Sequence, residues 1–315
     1  MSGAARRKTK LEPALIRPRR FVAAAATPVV AGSAPTPLAR LVITGSAASG
    51  KPRDVSAARG MLLAAFGALR TSHRKARILV TPAGFVQYQI GGEWSGTSGW
   101  QTTQSDFDRL ATVAAGVANE IVTPEVQEAA KGAVDHVILG VDVWPSQHRK
   151  AYGEVACLYS FANGKCVPVT GKSYPNTGQQ NHLIRNPDVD HVVQIDEDRV
   201  AVLVCHDLAA WNPRGNAVAK GVRATAWRAM QDAVGDAQPT LAVHLAHTVS
   251  TADTWRNAWS RFADRAGAAF HSGTTAIRHL DLRWHEVSAP PDSRLLAGTG
   301  RGERAIDVMV TEVPT

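Results

Sequence analysis

The sequence predicts an α/β domain whose strands are covered on both sides. Three observations carry that prediction. Short continuous apolar runs, His136–Val143 above all, are the pattern of strands buried on both faces. Amphipathic helical periods alternate with such runs toward both ends of the chain. Between them, residues 154–205 hold several strand-like segments separated by turn signals.

Taken in order, residues 1–37 lack sustained periodicity and carry Pro13, Pro18, Pro28, Pro35 and Pro37, so they read as a disordered basic, Ala/Pro-rich tail. The expected domain spans 38–315. Leu41–Thr44 is a first strand, Ser56–Leu69 a helix, and Arg77–Thr81 a strand ending at Pro82. Ser105–Ile121 is a second helix, with Ser105 or Asp106 as its N-cap. After His136–Val143 come strands at Glu154–Tyr159, Lys165–Thr170, His191–Ile195 and Arg199–Cys205, with turns at Asn163-Gly164 and Asp196-Glu197-Asp198. Ala217–Val234 and Thr254–Ala269 are helices flanking a strand at Thr240–His244, and the second helix has Thr251 or Asp253 near its cap. Strands at Ile277–Glu286 and Ala305–Thr311 close the chain.

Composition excludes several function classes. The net charge is +8, but seven bases against Glu12 within residues 1–20 supply most of it. The near-neutral remainder argues against nucleic-acid binding by the core. Three cysteines without short spacing fit neither a disulfide framework nor a zinc site and suit a cytoplasmic setting. No apolar run reaches the ~20 residues of a membrane span. Arg19-Arg20-Phe21 and the Ala-rich stretch after it loosely resemble an export signal, which Pro28 interrupts.

Chemistry concentrates at Arg199-Val-Ala-Val-Leu-Val-Cys205-His206-Asp207, where a β-branched strand runs into a cysteine and then a turn. A nucleophile at a strand end is exposed on a rigid backbone, and the amides after it can stabilise an oxyanion. Such a cysteine needs a nearby cation or base, since the thiolate is the nucleophile. By default, however, a cysteine is a small buried hydrophobe, and Cys157 and Cys166, mid-strand among apolar residues, fit that default. Lys172 follows the apolar stretch Val167–Thr170 and can point into a cleft.

These segments resemble the nitrilase (carbon–nitrogen hydrolase) superfamily. Its members carry Glu, Lys and Cys in that chain order, each at a strand end. Val202-Leu203-Val204-Cys205-His206-Asp207 looks like the family's cysteine segment, and Asn163-Gly164-Lys165 through Lys172 like its lysine segment. The 33-residue separation of Lys172 and Cys205 fits. Arg77–Pro82 resembles the strand that normally ends in Pro-Glu, and His136–Asp142 the strand between the first two triad positions. The resemblance covers roughly residues 40–290. It implies a four-layer α-β-β-α sandwich, an amide or nitrile as small-molecule substrate, a covalent intermediate on Cys205, no cofactor or metal, and a homo-oligomer, dimer or larger.

One departure matters. Ala83 stands where the family has Glu, and Gly178-Gln179-Gln180 stands where many members have another Glu. Either another carboxylate is the base, Glu154 first and Glu93 second, or the site is degenerate and binds a ligand without turnover. His206 is a third candidate base, although neighbours on an extended strand face opposite ways. His206 and Asp207 beside the nucleophile, and His244 and His247 at the end of a strand, are the expected substrate contacts. Together with His271, His279 and His285 they form no compact metal motif. Trp255 and Trp259, four apart on one helix face, read as core or subunit interface. The glycines at 91, 92, 96 and 99 lack the spacing of a phosphate loop and read as a lid or a surface loop.

Overall fold

The computed structural model describes residues 36–44, 54–90, 94–144, 151–212, 219–247, 252–268, 270–275, 294–298 and 305–313. Twelve strands among them form two sheets. The larger sheet has the order β11 (Arg294–Gly298), β12 (Ala305–Val313), β1 (Thr36–Thr44), β2 (Ala76–Val80), β4 (Val134–Trp144), β5 (Gly153–Ser160) and β6 (Lys165–Gly171), with β3 (Val86–Gln89) on the far end of β4. The smaller has the order β10 (Phe270–Thr275), β9 (Leu241–Ala246), β8 (Asp198–Val204) and β7 (Val192–Ile195). Helices α1 (Val55–Thr71), α2 (Gln104–Ile121) and α3 (Pro124–Ala130) cover the outside of the first sheet, and α4 (Val222–Ala237) and α5 (Ala252–Ala266) the outside of the second.

Side-chain alternation builds the layers. On β4, Val137, Leu139 and Val141 pack under Leu62, Phe66 and Leu110 of the helices, while Ile138 faces the second sheet. On β8, Val200, Val202 and Val204 face the first sheet, and Ala201 and Leu203 face Trp227, Met230 and Phe262. The period of two therefore supplies both inter-layer cores from one strand. The four-layer α-β-β-α sandwich expected from the resemblance is the architecture observed.

Some elements differ from expectation. Strand β1 starts at Thr36, two residues before the anticipated domain boundary. Helix α2 is capped by Thr103, and Asp106 reciprocates from the third helical position, so the cap precedes both anticipated candidates. Asp253 lies inside the first turn of α5. Strands β3, β10 and β11 and the short helix α3 carry no strong sequence pattern and were not anticipated. The expected strand Ile277–Glu286, the start of the helix at Ala217, the cap at Thr251, and His279 and His285 lie outside the described residues, as does most of the N-terminal tail. Among the described residues, no helix is long and apolar enough to cross a membrane.

Candidate active site

The pleat determines which residues meet at one end of the sandwich. Ile138 and Ala156 face the inter-sheet core, so Asp142 on β4 and Glu154 on β5, each an even step further, face the same way. The two are paired in register. Lys172 follows β6, and its backbone N–H donates to the Glu154 carbonyl at 2.9 Å. The Lys172 ammonium donates to Glu154 Oε1 at 2.8 Å with neither side chain more than 2% exposed. Burial works against the lysine's charge, but Cys205 and Glu154 outweigh it and hold its pKa above the ordinary value. Gln179 Nε2 adds a 3.4 Å contact to the same oxygen. The segment after Lys172 thus reaches the site with an amide.

Cys205 sits at the other sheet's strand end, immediately after β8. Its φ of 49° is left-handed, an unfavourable conformation for a residue with a Cβ. Two buried side chains hold it. His244 Nε2 donates to the Cys205 carbonyl at 2.7 Å. Asp207 Oδ2 accepts the Val204 N–H at 3.3 Å, and its Oδ1 accepts those of Ser173 and Tyr174 at 3.0 and 2.7 Å. Asp207 therefore ties the cysteine turn to the lysine segment. Burial pushes its pKa up to about 6, with His191 and the Tyr174 amide pulling the other way.

The structure buries two of the expected substrate contacts, Asp207 and His244. Asp207 is fully buried with both oxygens on backbone amides, so it positions the site and has no face toward a ligand. His244 lies behind the turn, its ring tilted by 32° against Trp255 at 4.2 Å, with Trp259 edge-on nearby. Burial lowers its pKa to about 3, so the ring is neutral. The reason is the odd spacing: His244 shares a strand face with the helix-side Ala242, whereas His247 follows the inward-facing Leu245. Trp255 and Trp259 belong to this core.

His247 is the histidine that reaches the cleft, with 26% of its side chain exposed. Its Nε2 donates to Asp142 Oδ2 at 2.7 Å, and its Nδ1 is 3.6 Å from Glu154 Oε2. Burial disfavours charge on this ring, but Asp142, Glu154 and Cys205 raise its pKa well above the ordinary value. A Glu154 oxygen, the Cys205 sulfur and a His247 ring nitrogen all lie within 4.8 Å of one another. These are also metal-ligand types. A divalent ion there would have to share Glu154 with the Lys172 ammonium and displace a proton from His247.

His206, half-buried, stacks parallel to Tyr174 at 5.8 Å. Burial, then Lys172 and Arg223, lower its pKa to about 4. Glu93 lies outside the described residues. Cys157 and Cys166 are buried and free, away from this cluster.

Sequence reasoning passed over two site residues. Asp142 stands in a recognised strand, but nothing in one sequence reveals that a histidine 105 positions later meets it. Tyr152, stacked on Trp144 at 4.8 Å, borders the cluster. Burial and the nearby Glu154 raise its pKa, so its phenol stays protonated. The acid-free turn after Pro82 also has a physical account. Ala83 packs in the inter-sheet core, and a Cβ on Gly140 would lie 2.2 Å from the Pro82 carbonyl oxygen, so only glycine there admits the turn. Gly84, with φ +57°, brings its backbone against Asp142 and His247.

No protein-family model matches the sequence, and no curated protein matches it. Solved structures do. A Cys→Ala variant of an amidase from the nitrilase superfamily of Nesterenkonia AN1 is 13% identical, covering 91% of this chain and 94% of that one at a TM-score of 0.51. The NitN amidase from Nesterenkonia sp. AN1 is 14% identical, covering 89% and 93% at a TM-score of 0.48. The same amidase's Cys→Ala variant in complex with butyramide is 12% identical, covering 89% and 92% at a TM-score of 0.48. At such identities what is shared is the chain's path, and the fold of this protein is that of a nitrilase-superfamily amidase.

Proposed function

We propose that the protein hydrolyses a non-peptide C–N bond, in an amide or a nitrile, through a covalent intermediate on Cys205. The carrying observation is the convergence of Cys205, Glu154 and His247 within 4.8 Å, with the Lys172 ammonium on Glu154. Glu154 fills the chemical place left empty at Ala83. Its Oε2 is buried without a hydrogen-bond partner and is free to take the thiol proton. The sulfur then attacks the substrate carbon. Lys172 and the backbone amides near His206 stabilise the developing oxyanion, giving a thioester from an amide or a thioimidate from a nitrile. The amidase fold supports C–N chemistry by analogy.

The test is ammonia release from a panel of short aliphatic amides and nitriles. Turnover of at least one, abolished in Cys205→Ala, is expected, with a covalent acyl adduct seen by intact-protein mass spectrometry. Undiminished turnover by Cys205→Ala removes the reading, as does inertness of the native protein toward the whole panel.

A further inference from the structure

We propose that His247, held by Asp142, is a second proton-transfer group in this site, acting as the acid that protonates the departing nitrogen of an amide substrate. This rests on the hydrolase reading above and extends it to a group lying outside the Glu–Lys–Cys pattern.

The geometry separates two functions. Glu154 Oε1 is engaged by Lys172 at 2.8 Å, and its Oε2 faces the cluster. His247 approaches from β9 on the opposite sheet, with Nε2 fixed on Asp142 Oδ2 at 2.7 Å. That leaves Nδ1 as the free end of the ring, and its 3.6 Å distance to Glu154 Oε2 is beyond a formed hydrogen bond. The side chain is 26% exposed, whereas Glu154 and Lys172 are enclosed. The partly exposed ring is the group that can meet a leaving group, and the enclosed carboxylate is the one that meets the sulfur. The groups acting on the ring are Asp142 from β4, Glu154 from β5 and Cys205, while the neutral His244 lies on the other face of its strand, so carboxylates dominate the surroundings of His247 and favour the imidazolium. Gly84 makes the close approach possible, since a Cβ there would lie 2.7 Å from Asp142 Oδ2 and 2.9 Å from His247 Nε2.

The proton inventory closes. The Cys205 thiol proton goes to Glu154 as the carbon–sulfur bond forms. The carbon–nitrogen bond breaks as nitrogen takes the proton from His247 Nδ1, releasing ammonia or an amine. Water then attacks the thioester and returns a proton to His247. The carbon–sulfur bond breaks, and sulfur recovers its proton from Glu154. The acid step matters for amides and not for substrates whose leaving group departs as a stable anion.

The experiment compares kcat/KM for an aliphatic amide and for the p-nitrophenyl ester of the same acid, since p-nitrophenolate leaves without a proton. His247→Gln is expected to lower the amide value by about 10²–10⁴ and the ester value less than tenfold. Equal losses on both overturn the proposal. Glu154→Gln is expected to lower both, so a harmless Glu154→Gln overturns the base assignment independently. Asp142 is a positioning residue: Asp142→Asn is expected to move the alkaline limb of the amide pH profile down while the rate at pH 6 is largely retained. A uniform loss at all pH values assigns Asp142 a structural role only. NMR of the histidine rings in Cys205→Ala gives a readout without turnover. His247 charged at pH 7.5 is expected, and a neutral ring there overturns the proposal. No turnover of either substrate by the native protein removes the hydrolase reading and this proposal with it.

Discussion

Replacing Glu154 by glutamine separates its two roles, counter-ion and proton acceptor. The side chain keeps its shape and an oxygen for Lys172, but it loses the charge and the capacity to take a proton. Both partners are at most 2% exposed and 2.8 Å apart. Removing one member of such a pair leaves an uncompensated buried charge, which costs about 3–5 kcal/mol. The retained Oε1 acceptor places the expected loss near the lower end, about 3 kcal/mol. Loss of a general base lowers kcat by about 10²–10⁴, or roughly 2.7–5.4 kcal/mol of barrier at 1.36 kcal/mol per decade. Urea unfolding measures the first effect, and ammonia release under saturating amide the second. The double variant Glu154→Gln/Lys172→Met separates them, because neutralising both partners is expected to restore stability without activity. A single variant within threefold of native activity refutes the base assignment. A stability loss under 1 kcal/mol refutes the claim that Lys172 depends on Glu154 for its charge.

Three further outcomes are expected. Asp207→Ala strands the buried amides of Ser173, Tyr174 and Val204. At about 1–3 kcal/mol for each unsatisfied group, a loss of at least ~3 kcal/mol is expected by denaturant titration, and less than 1 kcal/mol contradicts the clamp. Gly84→Ala, with φ +57° and a Cβ pressed into Asp142 and His247, is expected to cost about 1–3 kcal/mol and to lower amide turnover at least tenfold, with native-like turnover as the contrary result. Stability is expected to fall with acidification between pH 6 and 4.5. Below its ordinary value of about 6.5 each of His206 and His244 takes up a proton only on unfolding, because burial lowers their folded pKa values to about 4 and about 3. Asp207, raised to about 6, offsets one of the two by binding a proton when folded. These three leave one net proton, about 1.4 kcal/mol per pH unit. His244→Gln should flatten the slope by that amount in urea titrations, and an unchanged slope refutes it.

The layered organisation was legible because period is a local property. His136–Val143 and Arg199–Val204 declare buried strands by their apolar runs, and Ser105–Ile121 declares a helix by its stripe. The elements that escaped, β3, β10, β11 and α3, are short or carry mixed polarity, so that pairing partners rather than pattern determine them. The cap of α2 shifted because Thr103 and Asp106 satisfy each other's backbone donors, a reciprocity visible once the helix start is known.

By itself the sequence placed Cys205 and Lys172 at strand ends and no acid after Pro82, and the nitrilase resemblance implied that the two side chains meet. It also singled out Glu154, because a residue on the strand leading into the lysine hairpin can be placed by local pairing. Which histidine reaches the cleft was decided only by the tertiary structure. His244 and His247 differ by three residues, so the pleat sends one to the helix-side core and the other to the inter-sheet cleft, and the sheet must be built before the faces have names. The Asp142–His247 contact belongs wholly to that level. It joins two sheets across 105 residues of chain, and a pairing of that kind is set by how the layers stack, which no local pattern encodes.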